Sequence, residues 1–260
     1  MLQRSGGSIH YEVSGRNHAP ALVLLHPLGA SLGTWQPQLA EFERFFRVIR
    51  IDLRGHGKSR LDEGPTGSCS MADLAADALA VLDALHIERA HWCGVSIGGV
   101  IALQVAVMAP RRVGRLVLAN TAACFPPAEA WDERIETART RGLAPLQATV
   151  PERWFSAAFR EREAATVAGI VDLFATTQVR GYVEACSALR DVDLTTRLGE
   201  VQAPTLVVAG AHDNPASIER AGQLADGIVG ADLLMLDAAH LSNVEQAEDF
   251  TTAVVDFLRD

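Results

Sequence analysis

Short continuous runs of valine, leucine and isoleucine alternate along the chain with longer stretches whose apolar residues recur every three or four positions. The short runs, at residues 8–13, 21–25, 47–52, 90–93, 115–119, 205–209 and 232–236, read as strands. Several lack the in–out alternation of a half-wet sheet, the pattern expected of strands covered on both faces. The longer stretches read as amphipathic helices. Ser70-Met71-Ala72-Asp73 sets an acid three residues after a serine, the spacing of a capping box, ahead of Leu74, Ala78, Val81, Leu82 and Leu85. The last helix, from about Gln246, puts Phe250, Val254, Phe257 and Leu258 on one face. Strands alternating with helices predict an α/β fold, with a mostly parallel central sheet flanked by helices.

One stretch departs from that rhythm. Between residues 121 and 197 no strand pattern occurs, and arginines, alanines, Trp131 and Trp154 are punctuated by Pro126-Pro127, Pro145 and Pro151. This is far more chain than one crossover needs, so 121–197 is expected to form a helical lid inserted into a core of 1–120 and 198–260. Two or three ordinary crossover helices are the other reading.

Bulk properties narrow the picture. The 260 residues are 48% hydrophobic and 21% charged, which suits one large globular α/β unit. With 23 basic against 32 acidic residues, a net charge of −9, and a single lysine, Lys58, the chain is a poor partner for nucleic acid. Cys69, Cys93, Cys124 and Cys186 show no metal-type spacing and read as reduced thiols, which points to the cytoplasm. No apolar stretch follows Arg4 as in a secretory signal, and no uncharged run approaches the roughly 18–20 residues that span a bilayer. A soluble cytoplasmic protein with no membrane partner is therefore expected. Oligomeric state leaves no signal in the sequence.

The chemistry concentrates at Gly94-Val95-Ser96-Ile97-Gly98, between the strand at 90–93 and an uncharged helical stretch from Gly99 to Ala109. Strand, Gly-x-Ser-x-Gly, helix is the setting of a nucleophile elbow, a turn too tight for side chains two residues either side of the serine. A serine hydroxyl needs a base, and a histidine base needs a carboxylate to fix its tautomer and stabilise its charged form. Asp213 follows the strand at 205–209, and His240 follows the strand at 232–236. All three would project from the carboxyl edge of the sheet, where open α/β sheets bind ligands. His212 adjoins the acid and would point away from it, Asp237 lies too close to its own strand, and Asn120 has no charge. Two backbone donors are expected for an oxyanion: the N–H of Ile97, and that of Leu28 in the His26-Pro27-Leu28-Gly29 loop, since Pro27 has none. That loop also reads as an ordinary turn.

These segments, with Asp52-Leu53-Arg54-Gly55-His56-Gly57-Lys58-Ser59, resemble the α/β-hydrolase superfamily over essentially the whole chain. His26 and His56 belong to that superfamily's scaffold pattern, which implies structural roles for both. Leu25 to Gly29, Cys93 to Gly99, Tyr182 to Leu194 and Ala238 to Gln246 resemble the 3-oxoadipate enol-lactonases more narrowly. Many superfamily members have glycine where Pro27 stands, whereas the lactonase group commonly has proline. The resemblance implies hydrolysis of a small enol-lactone in bacterial aromatic catabolism, by Ser96, Asp213 and His240, with no metal or organic cofactor. A carboxylesterase, a carbon–carbon bond hydrolase or a cofactor-free perhydrolase would use the same triad, and a slow-turnover ligand receptor could keep it. Ser96 argues against the dehalogenases and epoxide hydrolases of this fold, which use aspartate. The substrate carboxylate calls for a cationic or amide donor, which the sequence does not single out among the many arginines. Trp131 and Trp154 read either as pocket walls or as packing within the lid.

Overall fold

The computed structural model describes residues 1–63, 69–214 and 216–260. Ten strands occur among them: β1 (Leu2–Arg4), β2 (Gly7–Ile9), β3 (Tyr11–Gly15), β4 (Ala21–Leu25), β5 (Arg47–Ile51), β6 (Arg60–Leu61), β7 (Ala90–Val95), β8 (Val113–Ala119), β9 (Thr205–Gly210) and β10 (Asp232–Leu236). Seven form the central sheet in the order β10-β9-β8-β7-β4-β5-β3, parallel throughout except for β3 at one edge. The continuous apolar runs β4 and β9 are buried along their whole length, as strands covered on both faces must be. At the far edge β10 is half exposed, with Leu233 and Met235 open to solvent.

Helices α1 (Leu39–Phe45), α2 (Met71–Ala84) and α3 (Ile97–Met108) flank the sheet. The capping box at Ser70 forms, with Ser70 and Asp73 satisfying each other's backbone N–H groups at the start of α2. α3 is apolar except for Gln104 and is buried from Ile97 to Val107, because it packs on β4, β7 and β8 and on α2. Six further helices, α4 (Ala128–Arg141), α5 (Ala144–Gln147), α6 (Val150–Trp154), α7 (Ala157–Arg162), α8 (Ala164–Phe174) and α9 (Val179–Asp191), fill the connection between β8 and β9. The chain closes with α10 (Ile218–Gly227), α11 (Ser242–Glu245) and α12 (Ala247–Arg259). No helix among the described residues is long and apolar enough to cross a membrane.

The expected strand at 8–13 is two strands in two sheets. β2 pairs with β1 and β6 in a small antiparallel sheet, while β3 pairs with β5. The break falls at His10, whose N–H donates to Ser59 Oγ (2.7 Å) instead of to a ladder partner. Its ring also meets Asp52 Oδ2 at 2.9 Å. Side chains some forty residues away thus interrupt a run that is locally continuous.

Candidate active site

The turn from β7 into α3 places Ser96 at φ 57°, ψ −122°, a backbone region that residues with a Cβ rarely occupy. Its N–H is held by Ala119 O (3.0 Å), and its carbonyl accepts from Thr121 Oγ1 (2.7 Å). The glycines either side are sterically required. A Cβ on Gly98 would run into the Leu25 carbonyl, and one on Gly94 into the backbone of Gly98. Gly98→Ala should therefore cost about 1–3 kcal/mol of stability, as over-packed sites do. In a chain of this size that lowers Tm by roughly 2–10 °C, readable by thermal denaturation.

His240, in the loop after β10, and Asp213, after β9, are both buried. His240 Nδ1 lies 3.0 Å from each carboxylate oxygen of Asp213. A carboxylate can only accept, so Nδ1 carries the proton and Nε2 is the basic nitrogen of the neutral ring. Asp213 also accepts from Asn120 Nδ2 (3.0 Å) and from the N–H of Ala216 (3.1 Å). The rival groups lie elsewhere: His212 and Asp237 pair with each other at 2.8 Å, exposed.

Ser96, His240 and Leu28 line one cavity of about 380 Å³. The N–H of Ile97 opens α3 and so has no acceptor within the helix. The N–H of Leu28 likewise has no acceptor among the described residues. The loop carrying Leu28 is pinned by its buried histidine: His26 Nδ1 donates to Pro27 O (2.8 Å), and Nε2 accepts from Leu53 N (2.9 Å). Burial lowers the pKa of His26, and burial together with His26 lowers that of His56 to about 3. Both rings are neutral near pH 7, packed with centroids 5.4 Å apart, and lie outside the cavity lining.

More of the lining comes from the helices between β8 and β9. Trp131 and Arg134 on α4, and Arg153 and Trp154 on α6, all line the cavity. The two tryptophans line the cavity and also pack against neighbouring aromatic side chains. Trp131 donates to Phe125 O (2.7 Å) and packs edge-on to the Phe125 ring, while Trp154 is buried beside Phe174. The arginines are what the sequence did not single out. Arg134 lies over the Trp131 ring at 5.2 Å and donates to Tyr182 OH (2.7 Å), yet its buried Nε has no partner. Arg153 has no carboxylate partner among the described residues, and burial plus the neighbouring Arg134 charge lowers its pKa to about 10. Two guanidinium groups with no carboxylate partner among the described residues are chemically suited to an anion, although Glu152 lines the same cavity. Their spacing next to two tryptophans, Trp131 to Arg134 and Arg153-Trp154, is the only trace of this in the sequence.

Residues 20–141 match the family model described as the alpha/beta hydrolase fold. The chain is 35% identical to 3-oxoadipate enol-lactonase 1 of Acinetobacter baylyi, over all of this chain and 96% of that protein. It is 33% identical to an Agrobacterium fabrum protein named for carbamate hydrolysis, RutD, over 96% of this chain and 98% of that one. Among solved structures, the enol-lactonase from Burkholderia xenovorans LB400 superposes with a TM-score of 0.94 at 40% identity, covering 98% of both chains.

Proposed function

This chain belongs to the α/β-hydrolase family, and from that premise we propose that it opens the ring of 3-oxoadipate enol-lactone to give 3-oxoadipate. The observation that carries the reading is that Ser96 and His240 line one cavity together with Arg134 and Arg153, neither of which has a carboxylate partner among the described residues. Such a site suits an ester that also bears a free carboxylate. Whole-length similarity to proteins named as enol-lactonases, in sequence and in structure, supports the same substrate class.

In the proposed mechanism His240 Nε2 takes the Ser96 hydroxyl proton as Oγ attacks the lactone carbonyl carbon. Negative charge builds on the former carbonyl oxygen, where the N–H groups of Ile97 and Leu28 stabilise it. Collapse of the tetrahedral intermediate breaks the ring C–O bond. The enol oxygen leaves with the proton from His240, remains tethered through the acyl chain, and becomes a ketone, which disfavours re-closure. Water activated by His240 then hydrolyses the acyl–serine ester. Arg153 and Arg134 hold the carboxylate that takes no part in the reaction, and they do so equally in ground and transition states.

Purified protein should therefore turn over the enol-lactone with a kcat/KM far above that for neutral aryl acetates and carbamates. A preference for either of those classes would overturn the assignment. Arg153→Met should raise KM for the lactone by about 10- to 100-fold with little change in kcat, the pattern of lost uniform binding. Hydrolysis of a neutral aryl acetate should be nearly unaffected, because that substrate offers the arginine no charge.

A further inference from the structure

The three residues at the carboxyl end of β8 touch every loop that carries a member of the Ser96–His240–Asp213 group. Ala119 and Thr121 hold the two backbone groups of Ser96. Asn120, between them, reaches the other two loops. Its Nδ2 donates to Asp213 Oδ2 (3.0 Å) and to the carbonyl of Ala239 (3.1 Å), the residue before His240. Its Oδ1 accepts from the hydroxyl of Ser242, at the start of α11. Its backbone N–H is anchored on Val208 O of β9 at 2.8 Å.

We propose that Asn120 is a positioning residue whose side-chain amide aims the Asp213 carboxylate at His240. The proposal rests on the reading of Ser96, His240 and Asp213 as the triad.

Three features point this way. First, the orientation of the amide is dictated by its partners. Turned over, its oxygen would face Asp213 Oδ2 and Ala239 O, both acceptors, while the present orientation satisfies every atom. Second, no near-isostere serves. Aspartate would set a second carboxylate against Asp213, and leucine would leave a buried charge short of a donor. Third, Asn120 sits at φ 48° and is buried, so asparagine is also among the few residues suited to the backbone there. A purely structural role would need only that backbone. Glycine meets the backbone requirement and removes the amide, so it separates the two roles.

The test is a double-mutant comparison, because a residue acting through Asp213 loses its effect once Asp213 is gone. In the otherwise native enzyme, Asn120→Gly should lower kcat by about 10- to 100-fold, the worth of one hydrogen bond to a charged group. KM should stay nearly unchanged, since Asn120 does not line the cavity. In the Asp213→Ala background the same substitution should cost nothing further, measured on an activated aryl ester. Ser242→Ala, which removes the hydroxyl that holds the amide oxygen, should show the same dependence on Asp213 with a smaller loss, about 2- to 10-fold. It also keeps the test open if Asn120→Gly does not fold. Wild-type kcat in both variants, or equal losses with and without Asp213, would overturn the proposal while leaving the triad intact. Wild-type activity in Asp213→Ala alone would instead remove the triad reading, and the proposal with it.

Discussion

Replacing Ser96 with alanine is expected to lower kcat for the lactone by about 10⁶-fold, the loss seen when the nucleophile of a serine hydrolase is removed. The size of the effect follows from what is left behind. His240 keeps its bond to Asp213, and the N–H groups proposed to meet the carbonyl, those of Leu28 and Ile97, stay in place, but no group remains to form the acyl intermediate. Substrate binding should survive, because the arginines proposed to hold the carboxylate come from α4 and α6, which the substitution leaves in place. One complication is separable. Alanine at φ 57° carries backbone strain that glycine does not, so Ser96→Gly should be equally inactive and more stable thermally. Steady-state rates with a Tm for each variant decide this, and substantial residual turnover in both would exclude Ser96 as nucleophile.

The second large effect is expected at Asp213. Asparagine in its place should reduce kcat by about 10⁴-fold with the fold intact, the loss expected when the histidine is left in the wrong tautomer. The reason lies in the donors around the carboxylate. His240 Nδ1 contacts both oxygens, Asn120 Nδ2 approaches one, and the N–H of Ala216 approaches the other. Whichever way the new amide turns, its NH₂ meets a donor that Asp213 had satisfied. The local remedy is for His240 to move its proton to Nε2 and accept at Nδ1, and the ring then no longer has a lone pair for Ser96. Activity close to wild type in Asp213→Asn would show that the acid is another residue.

Much of this was legible in the sequence because local signals and the fold agree. Strands β4 and β10 begin and end where their apolar runs do, and Ser96, Asp213 and His240 each follow such a run. The glycines around Ser96 mark a turn whose geometry excludes side chains, so a short motif in the right context sufficed. What escaped depends on distant parts of the chain. The split at His10 is made by Ser59 and Asp52, neither adjacent in sequence. Arg134 and Arg153 stand out from the other arginines only once α4 and α6 pack around a common cavity. Asn120 carries no charge to mark it in the sequence, yet its amide joins the acid and histidine loops.

The proposed mechanism makes the Ser96 hydroxyl, activated by His240 and Asp213, the attacking group. It is tested most directly by treating the native enzyme with a fluorophosphonate and locating the adduct by peptide mass spectrometry. The predicted result is one phosphonyl group per chain, on the peptide containing Ser96, with lactone turnover lost in proportion to labelling. Full turnover in protein phosphonylated at Ser96, or inactivation that tracks a label on a different residue, would contradict it.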